Sequence, residues 1–92
     1  MALLVVTSFV PYDKALEKLK EKSGKDYYVS EDGDCICHLV EEGFVAVLKR
    51  RFDGLGRLVL IFPKPLAGEA IGLLRDLGAS GFELGIVDNQ ED

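Results

Sequence analysis

Cys35-Ile36-Cys37-His38-Leu39-Val40, Phe44-Val45-Ala46-Val47-Leu48-Lys49-Arg50 and Arg57-Leu58-Val59-Leu60-Ile61-Phe62 are three runs parted by glycine-bearing turns, and their alternation decides the fold. Successive side chains of a strand point to opposite faces, so each run splits into two sets. One set holds Cys35, Cys37, Leu39, Phe44, Ala46, Leu48, Leu58, Leu60 and Phe62; the other holds Ile36, His38, Val40, Val45, Val47, Lys49, Val59 and Ile61. Neither set is polar, whereas an antiparallel sheet with one face in water carries a polar side. This meander therefore needs cover on both faces.

Upstream, Asp26 to Ser30 reads as a further strand, joined to the meander across Asp32-Gly33, a dipeptide that tolerates positive φ and favours tight hairpins. A two-residue turn there pairs Ser30 with Cys35, Tyr28 with Cys37 and Tyr27 with His38. Tyr28 then joins the cysteine face, and Tyr27 and Val29 join the His38 face. A turn near Glu42-Gly43 pairs Val40 with Val45, His38 with Val47 and Asp34 with Arg51. A turn at residues 52–56 pairs Leu48 with Leu60 and Val47 with Ile61. A slip of one residue inverts a strand's faces, so each register is an expectation to be checked.

The flanks read as strand and helix. Leu3-Leu4-Val5-Val6-Thr7 is a continuous, β-branched apolar run suited to a buried strand. Tyr12, Ala15, Leu16 and Leu19 recur at helical spacing among charged residues, with Pro11 fit for the first turn and Gly24 for the residue past the end. Pro63 and Pro65 close the meander and lead into a second helix striped by Leu66, Ala70, Leu73, Leu74 and Leu77. Gly68 and Gly72 on that helix are expected to permit close packing. Gly78 to Gly81 stops it, and Phe82 to Val87 reads as a last strand.

The expected fold is α+β in the order β-α-ββββ-α-β, with residues 1–87 as a single domain and 88–92 as an acidic flexible tail. This order resembles the ferredoxin-like split βαβ arrangement, an antiparallel sheet with two helices packed on one face. The resemblance is to an architecture, and it implies self-association through the sheet, as in dimeric α+β barrels, or a small-ligand regulatory module. Two helices of about three turns each cover only one face of such a sheet, leaving Val45, Val47, Val59 and Ile61 to be covered by a second copy, a homodimer partner, which is the favoured solution, or by strands and loops of the same chain if the sheet curls.

The chain has 92 residues, a net charge of −5 and a hydrophobic content of 48%, which fits one globular domain with a modest core. A negative overall charge disfavours nucleic acid and anionic membranes as partners of the whole surface. The opening Met1 to Val10 lacks a basic lead and a cleavage pattern, and is about half the length a bilayer span requires. Two cysteines one residue apart on a strand sit about 6.5 Å apart, too poorly aimed for a disulfide, and suit a reducing, cytoplasmic setting.

Four groups of residues invite a chemical reading. Cys35-Ile36-Cys37-His38 offers metal donors, but alternation sends His38 away from both thiols and the spacing is not that of a zinc turn, so no metal or cofactor is expected. The same geometry deprives either thiol of a base, and no catalytic residue is assigned. Tyr27, His38 and Lys49 are the polar-tipped residues of the otherwise aliphatic face, where a small ligand at a sheet interface, or a pocket of a small dimeric enzyme around His38, would meet a phenol, an imidazole and an ammonium. Lys49, Arg50, Arg51 and Arg57 gather positive charge around Asp53-Gly54-Leu55-Gly56, a candidate contact for a nucleic-acid backbone. Acidic residues across the sheet are expected to neutralise part of that charge.

Overall fold

The computed structural model describes residues 2–39 and 43–88. Its elements are strand β1 (Ala2–Pro11), helix α1 (Tyr12–Ser23), strands β2 (Tyr27–Val29), β3 (Cys35–Leu39), β4 (Phe44–Arg50) and β5 (Leu55–Pro63), a 3-10 turn (Lys64–Leu66), helix α2 (Ala67–Asp76) and strand β6 (Glu83–Asp88). The class is α+β. All neighbouring strands are antiparallel in a six-stranded sheet of order β2-β3-β4-β5-β1-β6. The first strand thus lies between the strands that precede and follow α2. The expected tail at 88–92 falls outside the described residues apart from Asp88, which ends β6 opposite Ala2.

Both helices pack on one side of this sheet. Tyr12, Ala15 and Leu19 of α1 and Ala70, Leu73 and Leu74 of α2, with Leu77 just past its end, share one core with Leu4, Val6, Val10, Cys35, Cys37, Leu39, Phe44, Ala46, Leu48, Leu58, Leu60 and Phe62. Every member is at most 6% exposed, so the meander's first set of side chains forms the core face. Phe44 and Phe62 meet edge to face, with ring centroids 5.6 Å apart. Each fully buried Leu or Phe contributes about 1.5–3 kcal/mol of transfer free energy, which makes this layer the main source of stability.

Tyr12 ties the helix to two turns of the meander, the one before β3 and the one between β4 and β5. Its amide donates to the Gly54 carbonyl at 2.9 Å and its phenol donates to the Gly33 carbonyl. The Arg50 guanidinium lies 4.4 Å from its ring centroid. The Gly54 carbonyl belongs to a turn in which Asp53 and Gly54 both adopt left-handed φ, 62° and 74°, as a tight hairpin twist requires. Since the phenol is buried, Tyr12→Phe should strand the Gly33 carbonyl and cost about 1–3 kcal/mol, measurable by urea denaturation.

Three registers differ from those expected. The observed partners are Val29 with Cys35, Tyr28 with Ile36 and Tyr27 with Cys37, a slip of one residue that inverts β2. Asp32-Gly33 does not form a two-residue turn. Residues 30–34 make a wider loop instead: the Ser30 amide donates to the Asp34 carbonyl at 2.8 Å, the Gly33 amide to the Ser30 carbonyl at 3.1 Å, and the Asp34 amide to the Ser30 hydroxyl at 3.1 Å. A serine at the loop mouth and the Tyr12 phenol fix this geometry more strongly than the Asp-Gly preference. The other two hairpins, with His38 opposite Val45 and Val45 opposite Ile61, are displaced by two residues from expectation. Their faces are unchanged, because a strand repeats every two residues.

Gly68 and Gly72 also differ from expectation. A Cβ built at either position meets nothing within 4 Å, so neither glycine brings α2 close to the sheet. The pair costs helix propensity without a packing return. Gly68→Ala with Gly72→Ala should therefore add about 1–2 kcal/mol, read as a melting-temperature rise of about 4–8 °C per kcal/mol.

Candidate functional site

The face away from the helices carries two continuous apolar rows across the strands. Pairing places Thr7, Val59, Val47, Ile36 and Tyr28 side by side from β1 to β2. The next row runs Val5, Ile61, Val45 and His38, with Leu3 beyond it on β1. Val47, Val59 and Ile61 are half-buried by their neighbours in the sheet, while Ile36 is 54% and Val45 36% exposed. With strands about 4.8 Å apart and same-face residues about 6.7 Å apart, the rows span a few hundred Å². A patch of that size is about the largest a small monomeric domain exposes.

The polar-tipped trio does not converge. Tyr27, paired with Cys37, faces the helix layer, and the Lys20 ammonium lies 5.6 Å from its ring centroid. Tyr28 takes its place on the open face, as the one-residue slip dictates. Lys49 pairs with Arg57, four residues along β4 from Val45, the partner of His38. That separation is about 13 Å along the strand, too far for one small ligand group to touch both. His38 instead has Asp26, with Nδ1 3.8 Å from Oδ2 and both side chains more than half exposed. In water so open a contact contributes little. Sequence reasoning missed Asp26, although its carbonyl accepts the His38 amide at 3.0 Å; the correct β2 register was the missing signal. Around this pair Lys25, Tyr27, Tyr28, Ile36 and Val45 shape an open depression of about 320 Å³.

The cysteines belong to the core. Both are free and buried, and His38 points to the opposite face, so thiols and imidazole share no centre. Burial pushes the Cys37 thiol up to about 12, helped by the neighbouring Cys35, and burial also raises Cys35. Raised values mean that the unfolded chain loses these protons first. Their contribution is therefore complete below the ordinary thiol value of 9.0 and is lost as pH climbs through the folded-state values. Dithionitrobenzoate at pH 8 should label neither thiol in the native protein and both in denaturant; rapid native labelling would contradict this burial.

The basic hairpin divides between the faces. Arg50 is held over Tyr12 on the helix side, whereas Lys49 and Arg57 face each other on the open side. Among the described residues no acid forms an ion pair with Lys49, Arg50, Arg51 or Arg57, so the neutralisation expected across the sheet from Asp34 does not occur; Glu41 and Glu42 lie outside the described residues. Another apolar strip was not foreseen. Leu84 and Ile86 pair with Val6 and Leu4 and so lie on the helix side, yet they are 57% and 68% exposed because the cover of α2 stops short of β6.

Among the described residues no helix is long and apolar enough to cross a membrane. Comparison of the chain with protein-family models, curated proteins and solved structures finds no match.

Proposed function

We propose that this chain is a self-associating interaction or regulatory module, whose open sheet face packs on that of a second copy. One observation carries this reading: both helices lie on one side, while the other presents two apolar rows with no described segment above them. Hiding a few hundred Å² at about 25 cal/mol per Å² offsets a large share of the stability expected for a domain of this length. We read the strand order as a ferredoxin-like arrangement widened by an extra hairpin, since β1 lies between the strands flanking α2. Folds of that kind use the sheet face for dimers, and two twisted sheets stack face to face at a small angle with their inner side chains interleaved. Twofold symmetry suits the surface, because one set of valines and isoleucines meets itself.

His38, Asp26 and Tyr28 fall at the edge of such an interface, where a small ligand would find hydrogen-bonding groups beside an apolar floor. A cytoplasmic role fits two free, buried thiols. Sedimentation across protein concentration tests the association. The mass should move from the 10.1 kDa monomer to twice that value between about micromolar and millimolar concentration. A monomer throughout that range would defeat the proposal.

A further inference from the structure

We propose that the notch where β6 parts from β1 binds a phosphate monoester carried on a planar ring, the chemistry of a mononucleotide. Strand β1 pairs with β5 from Leu3 to Pro11 but with β6 only from Ala2 to Thr7. Beyond Thr7 the chain at residues 80–82 runs beside β1 without joining the sheet. A cavity of about 390 Å³ opens there, lined chiefly by Thr7, Phe9, Arg51, Arg57, Phe82 and Glu83. Its volume lies within the range of small-molecule sites. One wall is anchored, since the buried Ser8 hydroxyl donates to the Gly81 carbonyl.

Three features of this notch point to the ligand. Arg57 has Phe9 on one side and Lys49 on the other, so two cations stand directly opposed in the ladder. Such a pair is destabilising until an anion is shared between the charges. Arg51, Arg57 and Lys49 form no ion pair among the described residues, in a chain whose net charge is −5. Arginines beside a cavity with no acidic partner among the described residues have the donors for a phosphate, which guanidinium groups bind through paired N–H bonds. Next, Phe9 and Phe82 are each 50% exposed and line the same cavity, offering apolar ring faces for a base to stack on. Lastly, Glu83 lies opposite Thr7 on the far wall. Its carboxylate accepts from ribose hydroxyls or a base amino group and repels further negative charge, which favours a monophosphate over a polyphosphate.

Titration of the whole chain with each ribonucleoside monophosphate, followed by amide chemical shifts, tests the site. At least one should saturate with a Kd below about 1 mM, moving amides at residues 7–9, 51–57 and 80–83. The matching nucleoside and inorganic phosphate should each bind about tenfold more weakly or worse. Arg51→Gln with Arg57→Gln should weaken the monophosphate about tenfold, and Phe9→Ala should weaken it without changing its salt dependence. These side chains are exposed, so circular dichroism should show the variants folded. A 5′-phosphorylated oligonucleotide that binds more tightly than its own mononucleotide would make a strand end the natural source of this chemistry; equal or weaker binding would make it the free nucleotide. Failure of every monophosphate to saturate, shifts that map elsewhere, or affinity unchanged by the double arginine substitution would each overturn the site.

Discussion

Leu60→Ala should lower the unfolding free energy by about 3 kcal/mol, whereas Ile61→Ala, one position along the same strand, should cost the monomer about 1 kcal/mol or less. Leu60 is fully buried, between Val6 on β1 and Ala46 on β4, in the layer that both helices cover. Truncating it removes buried methyl groups and leaves a cavity that the rigid ladder on either side cannot close. Ile61 carries a similar side chain but lies on the open face, where water and partial collapse of its neighbours limit the loss. For 92 residues a total stability of about 5–14 kcal/mol is expected, so the Leu60 change alone lowers the melting temperature by more than about 10 °C. Both variants are to be melted at a dilution where sedimentation finds monomer, because any dimer contact of Ile61 would add a concentration-dependent cost. Equal losses under those conditions would mean that the two faces are covered alike, and the distinction between core face and open face would fail.

That distinction was legible in the sequence because alternation survives errors of register. The hairpins between β3, β4 and β5 are displaced by two residues from the expected pairing, yet each of Cys35, Cys37, Leu39, Phe44, Ala46, Leu48, Leu58, Leu60 and Phe62 lies on the core side. At β2 the displacement was one residue, and Tyr27 and Tyr28 exchanged faces. The cause is tertiary: the Tyr12 phenol and the Ser30 hydroxyl hold the 30–34 loop open, and a turn propensity read locally does not contain a tyrosine 21 positions from the glycine it bonds. The candidate site was legible to the same depth. Its aliphatic floor follows from period two alone, while its polar rim depends on which residues meet across strands. Asp26 beside His38, and the notch beside Phe9, both arise from pairings that composition and spacing leave open. The exposure of Leu84 and Ile86 was hidden for a further reason, since it depends on how far a ten-residue helix reaches over a strand that begins seven residues later.

Those two exposed leucine and isoleucine side chains supply the sharpest control for the association itself. Ile61→Lys should abolish dimer formation, raising the dissociation constant by at least about a hundredfold, while leaving the helix content and the monomer's cooperative unfolding intact. Ile61 sits mid-row between Val5 and Val45, so in a face-to-face dimer its replacement forces an ammonium into the centre of the apolar contact. In the monomer the same lysine reaches water along its own stem at little cost. Ile86→Lys is the matched change on β6, at the sheet's edge on the helix side. An exposed, apolar edge strand is itself able to pair with a second copy, because its outward N–H and C=O groups have no partner strand among the described residues. The two routes to a dimer make opposite demands: face packing predicts that Ile61→Lys dissociates the pair and Ile86→Lys does not, and edge pairing predicts the reverse. Val47→Lys, one row away on β4, should repeat the Ile61 result if the rows act as one surface. A dimer that survives both Ile61→Lys and Val47→Lys would remove the open face from the interface, whatever the behaviour of the edge.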